Sequence, residues 1–178
     1  LNELATHAEE VLKEFDEPLL KAVAARWLAD AGKFERAMAV NRELLKEDPD
    51  DAVLRNEMAW LELMREESDA EAAVEHAQAA ARLSGYNSEF ALHTLARAHA
   101  LAGSTAQARA HLLRVIATRD DPRVIDDDWF VMGRIAEEYS LPEVAADCYQ
   151  RVEKPSPLLA DDIWHLAQAR LKALQAER

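Results

Sequence analysis

Apolar positions recur at helical spacing along nearly the whole chain, with polar residues filling the opposite faces. Eight such stretches fall into pairs, at about 18–31 and 34–47, 52–66 and 69–84, 88–102 and 104–118, and 124–139 and 141–153. A ninth precedes them at 3–15 (ELATHAEEVLKEF) and a tenth follows at 158–176 (LLADDIWHLAQARLKALQA). No strand-like alternation of useful length intervenes, and no flexible linker. The punctuation agrees. Gly32 and Gly103 fall inside pairs, where a residue free to take positive φ ends a helix. Pro49, Gly85, Pro122 and the Pro155/Pro157 couple fall between pairs, and Asp48-Pro49 and Asp121-Pro122 are ordinary turn sequences. Pro18 and Pro142 fit first-turn positions, where a missing N–H is harmless.

The pairs repeat. AGKFERAMAV (31–40) matches AGSTAQARAH (102–111), each with an alanine five residues beyond the glycine. Ala37, Ala73, Ala108 and Ala145 share this context, at spacings of 36, 35 and 37 residues. A period of about 35 residues carried by two helices predicts a helical solenoid. The second copy departs most: Glu62 occupies an apolar slot, and the loop between its helices is two residues longer.

Residues 129–152, WFVMGRIAEEYSLPEVAADCYQRV, fit the pattern W-x2-L-G-x2-Y…A-x3-F…P through Trp129, Met132, Gly133, Ala136, Ala145, Tyr149 and Val152, with Pro157 beyond. The same slots hold Lys21, Ala24, Ala25, Leu28, Ala37, Asn41, Leu44 and Pro49 in the first copy. In the third they hold Leu92, Leu95, Ala96, His99, Ala108, Leu112, Val115 and Asp120. Met58-Ala59, Ala73, Ala77 and Ala80 fit in the second. The chain resembles the tetratricopeptide repeat family over almost its full length. That resemblance implies an all-α fold, a right-handed superhelical α-solenoid of antiparallel helix pairs with about four full repeats and a half-repeat helix at each end. It implies one domain over 1–178: a preceding half repeat (1–17), repeats at 18–51, 52–87, 88–122 and 123–157, and a capping helix or half repeat at 158–178. Gly133 and Ala145 are then the small residues that let helices approach, and Trp129 and Tyr149 fill the space between copies. One copy alone cannot bury its apolar face, so stability comes from stacking.

The resemblance also implies a non-catalytic protein-interaction scaffold whose first helices line a concave groove. The exposed groove slots are the residue after the Trp slot and the one four further on, which share a helix face. The first slot holds Ala22, Asn56, His93 and Phe130, with His165 in the last helix; the second holds Arg26, Trp60, Arg97 and Arg134. A turn earlier stand Leu19, Val53, Phe90 and Asp127. The expected partner-binding residues are therefore Arg26, Asn56, Trp60, Phe90, His93, Arg97, Phe130 and Arg134. The planar fork of arginine suits carboxylates and stacks on aromatics. This predicts a protein or peptide partner with acidic groups and an apolar anchor near Trp60, Phe90 and Phe130. The alternative is a structural or self-associating segment of a larger protein, its arginines paired with Asp30, Asp127, Glu137 or Glu138, and Trp60 and Phe90 in the core. Some family members clamp a terminal carboxylate with lysine, asparagine and arginine; Asn56 and Arg97 lie close to such slots, but the lysines are missing.

Charge narrows the partners. Asp and Glu number 34 against 21 Lys and Arg, for a net charge of −13, which disfavours nucleic acid and anionic membrane. No 18-residue apolar run is present to span a bilayer. The chain opens at Leu1 with no basic or apolar leader and reads as a piece of a longer protein. Its one cysteine, Cys148, excludes an internal disulfide framework and favours a reducing compartment, the cytoplasm. Cut array ends would expose apolar faces able to stack into a homo-oligomer.

Candidate chemistry is sparse. His7, His76, His93, His99, His111 and His165 contain no i,i+4 pair and no H-E-x-x-H, and there is no Cys-x-x-Cys, phosphate loop or nucleophile elbow. Cys148 beside Tyr149 reads as a small buried hydrophobe. Ile125-Asp126-Asp127-Asp128 and Glu66-Glu67-Ser68-Asp69 read as helix N-termini, where acids meet unsatisfied N–H donors. No enzyme activity, metal or cofactor is expected.

Overall fold

The computed structural model describes residues 1–65, 67–121 and 123–176. The Glu66 and Pro122 assignments lie outside the described residues, as does the 177–178 end. Ten helices are described: α1 (Asn2–Glu14), α2 (Pro18–Asp30), α3 (Phe34–Glu47), α4 (Ala52–Met64), α5 (Ala70–Leu83), α6 (Glu89–Leu101), α7 (Thr105–Thr118), α8 (Asp126–Glu138), α9 (Pro142–Gln150) and α10 (Ile163–Ala176). Each packs on its chain neighbours, forming an α-solenoid of antiparallel helix pairs. No described helix is long and apolar enough to cross a membrane.

Local sequence explains the boundaries. Pro18 and Pro142 open α2 and α9. Asp51 and Asp69 cap α4 and α5 by accepting the next N–H groups at 2.8–3.0 Å. Asp128 accepts the Ile125 N–H at 3.0 Å in the first turn of α8. Gly32 and Gly103 sit at φ 74° and 69°, as the turns between helices require. Two boundaries differ from expectation. Helix α9 ends at Gln150, and α10 starts at Ile163 instead of 158. Pro155 and Pro157 cannot supply helical N–H donors, and Asp162 draws the Leu159 N–H into a turn at 2.5 Å. Residues 151–162 therefore form an irregular segment.

The core is alanine-rich where helices approach and bulky between them. Ala37, Ala73, Ala108 and Ala145, the residues that marked the repeat, are all fully buried. A Cβ on Gly133 would lie 2.5 Å from Cε1 of Tyr149, so the glycine is what lets α8 and α9 meet. Cys148 is buried and burial pushes its thiol pKa up, as for a core residue. Glu62, the misfit in the second copy, is buried too, and Arg65 neutralises it at 2.6 Å.

Candidate partner-binding groove

The eight expected residues do not form one open row. Arg26, on α2, keeps 46% of its side chain exposed. It contacts three carboxylates: Asp30 at 2.9 Å, Glu57 at 3.7 Å and Asp161 at 2.9 Å. Burial alone would lower its pKa, but the carboxylates, led by Asp161, raise it. Burial pushes the Asp30 and Glu57 carboxyls up, against the pull of Arg26. Three acids around one guanidinium leave this end of the groove with surplus negative charge.

Asp161 comes from the irregular 151–162 segment, which crosses back to the first helix pair. Its Oδ2 also accepts the Trp60 Nε1–H at 3.4 Å, and the Ala160 N–H donates to the Asp30 carbonyl at 3.0 Å. Gly32 is close-packed here, since an added Cβ would meet Ala160 Cβ at 3.1 Å and one of them would have to give. Arg26 and Trp60 thus already contact an acidic stretch supplied by the chain itself.

Trp60 is half-buried, and the Arg97 guanidinium lies over its ring, 4.2 Å from the centroid. Asn56, also half-buried, has a buried Oδ1 without a hydrogen-bond partner. Phe90 is 81% exposed, and Leu19 and Val53, its counterparts on α2 and α4, are exposed as well. Between those two helices Val23, Arg26, Val53 and Glu57 line a cleft of about 270 Å³.

Three expected groove residues are corrected to the interior. Phe130 is buried on Tyr149, with ring centroids 5.7 Å apart, because α8 is packed on both sides by α9 and α10. His93 is buried in an ionic knot. Arg119 reaches its Nε2 at 2.8 Å and also binds Asp128 at 2.9 Å, Glu89 at 2.7 Å and the Arg123 carbonyl at 2.8 Å. Burial lowers the His93 pKa, and since a guanidinium can only donate, Nε2 is the acceptor of the Arg119 bond. The knot ties α6 to α8. Arg97 is only 8% exposed and pairs with Asp127 at 2.8 Å. Arg134 pairs with Glu137 at 2.9 Å. Burial would raise the Glu137 pKa, but hydrogen bonds from Arg170 and Tyr149, with the Arg134 charge, hold it low.

Asp30, Asp127 and Glu137 were thus correct partners for the arginine row. Asp161, Arg65, Arg119 and Arg170 were missed. Asp161 had one visible signal, an acidic pair that begins four residues after Pro157 and directly precedes Ile163-Trp164. Among the described residues, no cluster of three or more His, Cys, Asp or Glu side chains is placed to hold a metal.

This architecture is that of a tetratricopeptide-type helical repeat. A tetratricopeptide repeat protein of known crystal structure from Parabacteroides merdae aligns with a TM-score of 0.58 and 13% identity, over 97% of this chain and 76% of that one. At that identity the likeness is one of fold. No family model matches the chain, and no curated protein matches it.

Proposed function

We propose that this chain is a non-catalytic protein-interaction scaffold, and that its concave face receives a partner segment with acidic groups beside an apolar side chain. The supporting observation is the Asp161 carboxylate, which sits between Arg26 and Trp60 as such a partner's would. Arg26 supplies the charge-assisted contact, and the exposed Leu19, Val53 and Phe90 supply apolar anchors. A partner carboxylate exchanges with Asp161, so the apparent affinity carries the cost of displacing the chain's own segment.

The test uses a labelled peptide of residues 157–164, PLLADDIW, added in trans and followed by fluorescence anisotropy. Saturable binding that weakens about tenfold in Arg26→Glu is expected, since a hydrogen bond to a charged group contributes about 1.5–3 kcal/mol. Added salt weakens it further. Equal affinity for wild type and Arg26→Glu removes the acidic-segment reading.

A second reading has its own support. Arg97–Asp127 and Arg134–Glu137 are enclosed pairs, as expected of a structural segment whose arginines serve the array. Removing one member of a buried pair costs about 3–5 kcal/mol. Charge reversal at Arg97 or Arg134 therefore reports on folding; at Arg26, whose partner Asp161 is also buried, binding is read beside a urea midpoint, and Phe90 tests binding without disturbing an ion pair. Stacking of a second copy on the α1 end, where Leu1 and Phe15 are exposed, is the oligomeric form of this second reading. A monomer mass by light scattering at high concentration counts against it.

A further inference from the structure

A cavity of about 240 Å³ lies where α4, α6, α8 and α10 converge. Four arginines line it: Arg65 just past the end of α4, Arg97 on α6, Arg134 on α8 and Arg170 on α10. Leu63, Leu101, Phe130 and Leu166 form the apolar part of the wall, and among the described residues no acidic one lines it. The balancing carboxylates stand elsewhere. Arg65 is held by Glu62 and Glu35, both at 2.6 Å, and Arg97 by Asp127. Arg134 and Arg170 share Glu137, which also accepts the Tyr149 hydroxyl. One carboxylate thus serves two guanidiniums and a phenol.

A second feature points to a ligand. Arg97 is 8% exposed, and its Nε is buried with no hydrogen-bond partner among the described residues. Buried donors are almost always paired, so a charged one left over calls for an explanation. Arg97 lines this cavity, and its guanidinium is stacked on Trp60.

We propose that this cavity is a binding site for a compact organic anion, a carboxylate carried on an apolar body. Four guanidiniums select the charge, and their planar forks match a carboxylate bidentately. The leucines and Phe130 select the apolar part, which excludes a bare inorganic ion. Size excludes a peptide segment: the space is below the roughly 300–1,000 Å³ of sites for drug-sized ligands, yet above the roughly 150 Å³ cavity that takes benzene. The site is independent of the partner segment, since Arg26 does not line it.

Calorimetric titration of the full chain with phenylacetate tests the proposal, with phenylacetamide as the uncharged isostere. Saturable one-to-one binding of phenylacetate is expected, at least tenfold tighter than the amide. Arg97→Met weakens it tenfold or more. Ala169 is exposed and lines the cavity, so Ala169→Phe narrows the space without touching the core and weakens binding likewise, even where Arg97→Met impairs folding. Arg26→Glu leaves phenylacetate affinity unchanged, which separates this site from the partner groove. No saturation by phenylacetate, equal binding of the amide, or full affinity in Ala169→Phe each overturns the site.

Discussion

A methyl group added to Gly133 would sit 2.5 Å from Cε1 and 2.8 Å from Cδ1 of a Tyr149 ring that is fully buried. To admit it the buried ring has to shift. Gly133→Ala gains about 1 kcal/mol of helix propensity, but overpacking of this kind costs about 1–3 kcal/mol. The variant is expected to be less stable, with a lower urea midpoint; a higher midpoint contradicts the packing role. Phe90→Ala is its opposite. An exposed side chain with no core contact changes stability by no more than about 0.5 kcal/mol, while affinity for the PLLADDIW peptide falls. Glycine and tyrosine were legible in the sequence because their slots are defined by packing within one repeat. The exposure of the arginine row was not. Partners at i+3 and i+4, Glu137 and Asp30, follow from helix geometry, whereas Asp127 and Asp161 reach Arg97 and Arg26 from other elements. His93 and Phe130 were misplaced for the same reason: what buries them, Arg119 and the α9–α10 layer, lies outside their own repeat slots.

Between elements, glycines and prolines made the helix boundaries readable to within a residue or two through α8. Accuracy failed at 151–162, where the apolar pattern resumes at Leu158 but two prolines and the Asp162 turn delay the helix. The α6–α7 contact carries a prediction that composition could not supply. His99 and His111 stack with centroids 5.4 Å apart and planes 8° apart, and burial lowers both pKa values, in His111 with help from the His99 and Arg114 charges. Burial lowers His76 and His93 too. The unfolded chain then binds protons that the folded chain refuses once the pH drops below 6.5, the ordinary histidine value. Stability is full above that pH and is lost as it falls toward the depressed folded values. Asp30 and Glu57 act in the opposite sense: their raised pKa values contribute stability below 3.8 and 4.5 that disappears as pH rises through the folded values. Urea midpoints are therefore expected to fall between about pH 7.5 and about pH 5.5. His99→Gln/His111→Gln should flatten that fall; an identical slope in the double variant rules the pair out as a source.

At the scale of the whole molecule, the C-terminal segment ties the last helices to the first. Ala160 and Asp161 fasten it to α2 and Trp60, and Arg170 fastens α10 to α8. The expected row of partner residues is thereby divided. In one part Arg26 and Phe90 stay exposed, with Asp161 seated on Arg26; in the other, Arg97 and Phe130 are buried and Arg134 lies beside α10. The repeat architecture was readable because each copy states its own packing in about 35 residues. The division was not, since it depends on contacts between residues more than a hundred positions apart, and no periodic pattern encodes them. The most direct test of the account compares PLLADDIW binding in three full-length chains. Asp161→Asn, which weakens the internal competitor, should bind the peptide more tightly than wild type, and Arg26→Glu about tenfold more weakly. The same affinity in all three chains would contradict a groove that recognises acidic segments and holds its own.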